Sequence, residues 1–258
     1  MIIKSRRIRR YGWKPQLPDH RDLRRVTRHR ISPLPDAVDL RPMCPPVWDQ
    51  GNIGSCVAHA VAAAVMFDRM KQGLVPQFTP ARLFIYFNAR KMEGTDPQDD
   101  SGCQIRDAIK SVASQGDCPE TEWPYADDDS YANTPTPQCY EDALKYKAVT
   151  YESVSQNALD LKSCLADGYP IAFGISVFES FESDEVAKTG IVPMPGANES
   201  MVGGHGIVGV GYNSTSNSYL CRNSWGDQWG QAGYFWLPAA YVKNPDLASD
   251  FWTVRLVE

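Results

Sequence analysis

Long hydrophobic runs are missing from this 258-residue sequence. No segment approaches the roughly 20 consecutive apolar residues that a membrane-spanning helix needs. The N-terminal stretch MIIKSRRIRR is charged, but no apolar segment follows it, so it is not typical of a secretory signal. Unless a leader has been removed, we expect a protein without a membrane partner that stays in the cytoplasm or leaves it by a signal-independent route.

Closely spaced cysteine motifs are also missing. The seven cysteines include no CxxC pair, which disfavours a closed zinc site, and we expect no metal ion. An odd number of cysteines leaves at least one thiol free in a monomer, and we expect the protein to be a monomer. Cys164 and Cys221 lie in apolar runs and are predicted to be small buried hydrophobic residues. No disulfide is assumed without an oxidising compartment.

Charge is unevenly distributed along the chain. Residues 1–35 hold eleven Lys and Arg residues and two acidic residues, whereas residues 36–258 hold 15 basic and 29 acidic ones. The simplest interpretation is a basic N-terminal arm that folds back onto an acidic body. Its charge, together with Tyr11 and Trp13, also permits binding of an anionic or phosphate-bearing ligand.

The first part of the body, residues 36–147, is predicted to be mainly helical. The segment from Cys56 to Gly73 is rich in alanine, contains no proline and ends at a glycine. It is apolar on nearly all sides, so we expect a buried central helix. Two more helices are predicted, over residues 79–92 and 104–115.

The second part, residues 148–258, changes to short β-branched and aromatic runs that are separated by turns. The runs IAFGISV, GHGIVGVGYN, SYLCRNSW and GYFWLP are predicted to form antiparallel strands, interrupted by a helix around residues 156–167. A helical half followed by a β half indicates an α+β chain of two lobes. Clefts between lobes are common sites of chemistry.

Cys56 is the first candidate for that chemistry. A thiol at a helix N-terminus faces the positive end of the helix dipole and several unpaired N–H groups, which favour the reactive thiolate. Gly51 and Gly54, in the preceding DQGNIGSC, permit a tight turn and close approach of a ligand. Gln50 is placed to donate, together with the Cys56 backbone N–H, to a developing oxyanion.

A thiolate also needs a base, and the sequence offers four histidines: His20, His29, His59 and His205. His205 lies among small residues in GGHGIVGV, and Asn223 follows another β run. The Asn223 side chain can accept from one ring nitrogen and leave the other for sulfur. His59 is a rival because residues three apart are neighbours on a helix, but it would point into the helical lobe without an orienting partner.

Each of these signals is weak alone. A cysteine at a helix start is more often inert, and a single histidine in a strand is more often structural. The joint pattern DQGxxGSC…GHG…NSWGxxWGxxGY is specific, and on it residues 34–258 resemble the papain family of cysteine peptidases. The spacing agrees, since His205 lies 149 residues after Cys56 and the family signature places it about 130–150 residues or more beyond.

The resemblance implies a papain-like two-lobe fold, with a helical lobe, an antiparallel β-barrel-like lobe and the active site in the cleft between them. It implies a Cys56 thiolate that attacks a peptide carbonyl while His205 transfers the proton, followed by hydrolysis of an acyl-enzyme. Asn223 would orient His205, Gln50 would take the oxyanion position, and Trp225 would shield the Asn–His hydrogen bond. No metal or organic cofactor is implied.

The sequence departs from the family pattern near the predicted nucleophile. Val57 follows it where a tryptophan is usual, and Ile53 replaces the cysteine that forms the common neighbouring disulfide. Ungapped alignment leaves Gly102 at the backbone position that binds extended substrate by strand-like hydrogen bonds. Cys103 would line the same wall as an unpaired thiol.

Glycines occupy other positions of the predicted substrate cleft. Gly203 and Gly204 precede His205 where papain-like sequences often carry larger side chains, and Gly174 aligns with the S2 pocket. We therefore hypothesise a roomy S2 pocket that admits bulky or aromatic P2 residues.

The arm is much shorter than the helical inhibitory prodomain of family zymogens. We predict that its segment YGWKPQLPDHRD lies extended along or beside the cleft and limits access of substrate. The alternative is an arm that only packs on the surface.

Two other functions stay open at this point. One is a non-catalytic binding protein on a papain-like scaffold, although such proteins usually lose a catalytic residue. The other is acyl transfer to an amine instead of water.

Overall fold

The computed structural model describes residues 11–27 and 33–257. Its helices, α1 to α7 in chain order, are Cys56–Gln72, Arg82–Met92, Ile105–Gln115, Pro137–Ala143, Ala158–Ala166, Asp184–Thr189 and Ala239–Lys243. Its strands, β1 to β7, are Ala37–Asp39, Ala148–Ser153, Ile171–Phe178, Met201–Asn213, Ser218–Arg222, Tyr234–Pro238 and Ala248–Val257.

Helix α1 is the central helix that the alanine-rich pattern predicts. Its residues from Cys56 to Val65 are all buried. Gly73 ends it with a left-handed φ of 67°, and its N–H bonds to the carbonyls of Arg69 and Met70. A residue with a side chain would be strained in this conformation, which explains the glycine stop.

Helix α2 begins three residues later than predicted. Pro80 forms an isolated β-bridge with Pro119. The next residue, Ala81, is extended and donates its N–H to the Cys118 carbonyl at 2.9 Å. Because a neighbouring segment holds this backbone, the helix starts only at Arg82, a tertiary effect that the local pattern does not contain.

The other helices differ in how well the local sequence predicts them. Helices α3 and α5 lie within the predicted ranges, and the Asn157 side chain caps α5 by accepting from the Asp160 N–H. Helix α4 was not predicted, because its stretch is rich in turn residues. Thr136 caps it and Pro137 occupies its first position, both favourable start signals that its length of seven residues obscures.

All strands belong to one antiparallel sheet in the order β2-β7-β3-β4-β5-β6, with β1 paired to β4. The four predicted runs correspond to β3, β4, β5 and β6. Strand β1 precedes the helices in the chain yet joins the sheet, so the sheet takes strands from both sides of the predicted lobe boundary at 147/148. That boundary stays a prediction.

Helix α1 packs against β4 and β7, and this contact positions the candidate site. A methyl group on Gly206 of β4 would lie 3.0 Å from the Val57 side chain. The glycine thus lets the first turn of α1 approach the strand closely. The start of α1, with Cys56, therefore lies directly against the segment of β4 that carries His205.

All seven cysteines lie in the described residues and are free thiols. Cys164 and Cys221 are fully buried, as predicted. None of the helices in residues 11–27 and 33–257 is long and apolar enough to cross a membrane.

Candidate active site

The Cys56 thiol is fully buried at the first residue of α1. Its Sγ accepts a hydrogen bond from the Gly206 N–H at 3.3 Å. Backbone N–H groups of Gly12 and Val57 also face it. Burial raises the pKa of the Cys56 thiol to about 11, and the N–H groups offset only part of that effect. Burial by the arm thus opposes formation of the thiolate.

His205 is held by Asn223, as the motif predicts. The Nε2 of His205 lies 2.8 Å from the Asn223 Oδ1, which also accepts from the Ser224 N–H at 2.8 Å. An acceptor at this position fixes the proton on Nε2. Burial lowers the pKa of His205 to about 4, against the opposing effect of the Asn223 bond.

The other ring nitrogen of His205 is available for proton transfer. Nδ1 is buried and has no hydrogen-bond partner among the described residues. With the proton on Nε2, this nitrogen carries a lone pair. Gly206, the residue after His205, already donates to the Cys56 Sγ, so thiol and imidazole belong to one small site.

Trp225 covers the imidazole. Its ring centroid lies 5.0 Å from that of His205 at an interplanar angle of 34°, and the side chain is buried. Phe181 and Trp229 pack edge-on against Trp225 at 5.4 and 5.1 Å. This placement over the imidazole is compatible with the shielding role that the resemblance implies for Trp225, which stays a prediction.

Gln50 lies in the site, but its amide is already engaged. Its Oε1 accepts from the Ser224 Oγ at 2.6 Å, and its Nε2 donates to the Ile53 carbonyl at 2.9 Å. The Ile53 bond uses one of the two Nε2 hydrogens, which leaves the other for an oxyanion. The sequence motif predicts the position of Gln50 but not its bond to Ile53.

His59, the rival base, lies elsewhere. Its Nδ1 is 3.0 Å from the Ser55 carbonyl and its Nε2 is 3.1 Å from the Arg82 guanidinium. Burial and the charge of Arg82 lower the pKa of His59 well below its ordinary value. Its ring packs edge-on against Tyr125 inside the helical part of the protein, so its role is structural.

The arm lies across the site as an extended segment. The Trp13 N–H donates to the Gly204 carbonyl at 2.9 Å, which joins the arm to β4. On the other wall, the Cys103 N–H donates to the Gly12 carbonyl at 2.8 Å, and the Lys14 N–H donates to the Cys103 carbonyl at 3.2 Å. Trp13 and Cys103 thus form a parallel bridge.

Gly102 contributes space to this wall, whereas Cys103 contributes the hydrogen bonds. The Gly102 N–H donates to the Tyr86 hydroxyl and does not reach the arm. With φ of +72°, a methyl group on Gly102 would lie 2.3 Å from the Gly12 carbonyl oxygen. The strand-like bonds predicted for Gly102 are therefore made by its neighbour in the arm-bound state, and a role of Gly102 toward substrate stays a prediction.

Trp13 lies against two of the glycines that the sequence places in the predicted substrate cleft. A methyl group on Gly174 would lie 1.9 Å from the Trp13 ring, and one on Gly204 would lie 2.9 Å from it. Gly203 instead gives room to Tyr11, whose ring would be 2.5 Å from such a group. The glycines thus accommodate aromatic side chains, here those of the arm itself.

Asp250 closes this pocket and was not predicted. Its Oδ2 accepts from the Trp13 Nε1 and from the Gln16 N–H, both at 3.0 Å. Burial raises the pKa of Asp250 to about 6. Nothing in the local sequence LASDFW marks this carboxylate, because strand pairing alone brings it to the pocket.

Further polar contacts fasten the arm to acidic groups of the body. Tyr11 donates to Glu182, Lys14 pairs with Glu93, and Arg25 pairs with Asp167. Most of the predicted basic patch, and with it the predicted anionic-ligand site, lies in residues 1–10 and 28–32, outside the described residues.

Comparisons with known proteins show the family of the chain. A model of the papain family cysteine protease matches residues 34–252. The crystal structure of xylellain, a cysteine protease from Xylella fastidiosa, superposes with a TM-score of 0.89 at 42% identity and covers 99% of both chains.

Two curated relatives extend the comparison. An uncharacterized peptidase C1-like protein of Acanthamoeba polyphaga mimivirus is 42% identical over 217 residues, or 81% of this chain and 69% of the viral protein. A probable cysteine protease of Arabidopsis thaliana is 31% identical over 218 residues, or 78% of this chain but only 43% of the plant protein.

Proposed function

Because the chain belongs to the papain family of cysteine proteases, we propose that Cys56, His205 and Asn223 carry out its reaction and that the arm keeps the enzyme latent. The protein is a cysteine-type peptidase with the papain-like α+β fold, and it acts on peptide or protein substrates. The observation that carries the assignment of residues is the hydrogen bond between His205 and Asn223 beside the buried Cys56 thiol.

The reaction begins when the Cys56 Sγ transfers its proton to Nδ1 of His205. The thiolate attacks the carbonyl carbon of the scissile peptide, and the Cys56 N–H and Gln50 Nε2 stabilise the oxyanion. The imidazolium, held through Nε2 by Asn223, returns the proton to the leaving amine, which leaves a thioester. Water then attacks the thioester with His205 as base, and a carboxylic acid and the free thiol are regenerated.

The contacts of Gly12 support a latent state in which the arm occupies the cleft. The Gly12 N–H faces the Cys56 sulfur. The Gly12 carbonyl oxygen accepts from the Cys103 N–H on the opposite wall. A substrate chain could not occupy the same space beside Cys56 while the arm is in place.

The electrostatics of the site support the same proposal. With the arm in place, burial keeps the pKa of Cys56 at about 11 and that of His205 at about 4. A thiolate–imidazolium pair is strongly disfavoured when the thiol has the higher pKa. Release of the arm admits water to both groups, which lowers the pKa of Cys56, raises that of His205 and favours the reactive pair.

The S2 pocket is proposed to accept bulky or aromatic P2 side chains. Trp13 occupies it with 7% exposure against Gly174 and Gly204. A substrate side chain of similar size fits the same space once the arm has left.

Alternative functions have less support. A non-catalytic binder would not need the His205–Asn223 bond, and acyl transfer to an amine would need an amine site beside Cys56. A monomer and an anionic ligand at the arm also stay proposals. The described part of the arm favours contacts with the body, because Lys14 and Arg25 already pair with carboxylates.

The test is hydrolysis of a P2-varied fluorogenic peptide library by the full chain and by a chain lacking residues 1–35. We expect hydrolysis that the epoxysuccinyl inhibitor E-64 blocks and that Cys56→Ala abolishes. Hydrolysis that survives Cys56→Ala would contradict the assignment, and equal rates for both chains would contradict the latent state.

A further inference from the structure

Two buried thiols and a carboxylate converge away from the cleft. The Sγ atoms of Cys118 and Cys139 and a carboxylate oxygen of Glu122 all lie within 4.8 Å of one another. Both cysteines are almost completely buried, whereas Glu122 is exposed. The catalytic machinery uses none of the three side chains.

The backbone holds each of these residues in place. The Cys118 carbonyl accepts from the Ala81 N–H at 2.9 Å, and the Glu122 N–H donates to the Pro119 carbonyl at 2.9 Å. Cys139 lies in α4, where its N–H donates to the Thr136 hydroxyl at 3.2 Å. Ordered elements therefore hold the two buried thiols near one another, and the exposed Glu122 side chain completes the cluster.

A second carboxylate extends the cluster. Asp142 lies three residues after Cys139 on α4, and residues at this spacing share a helix face. The Asp142 carboxylate lies close enough to Glu122 for the two groups to interact. Lys145 and Gln138 contact Asp142, but Glu122 still faces the thiols.

We propose that Cys118, Cys139 and Glu122 bind a thiophilic divalent cation such as Zn²⁺, with Asp142 or water as the fourth ligand. Zinc takes thiolate and carboxylate ligands in tetrahedral sites, and Zn–S distances of about 2.3 Å place two sulfurs about 3.8 Å apart. The donor atoms lie within 4.8 Å of one another, so the two sulfurs must approach by at most about 1 Å to reach this geometry. Binding releases the two thiol protons to solvent, and the exposed Glu122 provides the entry path.

The cation would brace the segment that supports the active-site loop. Cys118 and Glu122 lie just before Tyr125 in the sequence. The Tyr125 hydroxyl donates to the Gln50 carbonyl at 2.7 Å. Tyr125 also contacts the Ser55 hydroxyl at 2.8 Å, directly before the nucleophile. A metal that ties this segment to α4 would therefore stabilise the loop that precedes Cys56.

The same two thiols are also close enough to suggest a disulfide. That reaction would join the sulfurs and transfer two electrons to an oxidant such as a small-molecule disulfide. The carboxylate favours the metal, because a disulfide makes no use of the Glu122 oxygen that shares the cluster. Disulfide formation is therefore an outcome that the test must separate from metal binding.

The test uses the full chain with Cys56→Ser, so that the catalytic thiol cannot bind the probe. Co²⁺ is titrated into reduced, metal-free protein and then displaced by Zn²⁺. We expect one Co²⁺ per chain with a thiolate-to-metal charge-transfer band, and a higher Tm in the presence of Zn²⁺. Cys118→Ser and Cys139→Ser should each abolish the band.

Matched variants keep the result decisive. Glu122→Gln leaves both core thiols intact and should weaken binding by about tenfold or more, at least the effect of losing an outer partner of a metal site. Cys164→Ser, a buried thiol outside the cluster, should leave binding unchanged. The proposal is overturned if the folded Cys56→Ser chain gives no charge-transfer band, or if Glu122→Gln binds as tightly as its parent. It is also overturned if the protein isolated without reductant has two fewer titratable thiols, which reductant restores.

Discussion

Trp13→Ala is the perturbation that should open the cleft most directly. The indole is 7% exposed, lies against Gly174 and Gly204, and donates to Asp250. Truncation of a buried Phe or Trp to Ala costs about 3–5 kcal/mol. In the open state this side chain is in water, so nearly all of that loss falls on the closed state.

The expected effect on activity follows from this free energy. Each 1.4 kcal/mol changes an equilibrium about tenfold, so the ratio of open to closed enzyme should rise by about 100-fold to 4,000-fold. While the closed form predominates, kcat/KM for a fluorogenic peptide rises by the same factor. The second-order rate of Cys56 labelling by E-64 should increase in parallel, because both reactions need the open cleft.

Leu17→Ala is the matched control. Leu17 belongs to the same arm but is 83% exposed, so its truncation should change the rate by less than about threefold. Equal rates for Trp13→Ala and the parent protein would refute the reasoning. So would an equally large activation by Leu17→Ala, since that would show general loosening of the arm instead of loss of the Trp13 contact.

Three further changes test other parts of the site. Gly12→Ala would place a methyl group 1.7 Å from the Gly54 carbonyl oxygen. This clash should displace the arm and raise kcat/KM for peptide hydrolysis, and an unchanged kcat/KM would contradict the close contact of the arm with Gly54. In the Trp13→Ala background, Asn223→Ala should lower kcat by about 10²-fold or more through loss of imidazole orientation, with circular dichroism as the folding control; a change in KM alone would argue against that role. In the closed form, burial raises the pKa of Asp250 to about 6 from an ordinary 3.8. At pH values between these two, Asp250 therefore carries a proton in the closed form that it lacks in the open form. Acidification from about pH 6 to pH 4 should therefore stabilise the closed form and slow E-64 labelling more in the parent than in Asp250→Asn, whereas identical pH profiles would contradict this linkage.

The parts of the site that lie in short sequence motifs could be predicted from the sequence. Cys56 lies in a helix-start motif whose glycines and alanines act locally, and α1 forms where that pattern places it. His205 and Asn223 are bonded in the structure because each has a motif of its own, His205 on β4 and Asn223 directly after the adjacent strand β5. The pocket glycines could be predicted in the same way, because an absent side chain leaves space whatever fills it.

The remaining features depend on contacts between distant segments. Asp250 reaches Trp13 across 237 positions of the chain. Cys118 and Cys139 meet because α4 packs near the segment that also delays the start of α2, and no local spacing records that contact. The Gln50 amide is positioned by its motif, but its bond to Ile53 depends on the path of the loop. Such features follow from tertiary packing, which overrides local preference.

The central claim is that Cys56 is the nucleophile and that the arm holds it as a buried neutral thiol. Its most direct test is the pH dependence of Cys56 alkylation by iodoacetamide, followed by peptide mass spectrometry, in the full chain and in Trp13→Ala. In the full chain the rate should keep rising toward the thiol pKa of about 11. In Trp13→Ala it should be much faster at neutral pH and level off at lower pH. Superimposable profiles, or modification of another cysteine in preference to Cys56 in Trp13→Ala, would contradict the account.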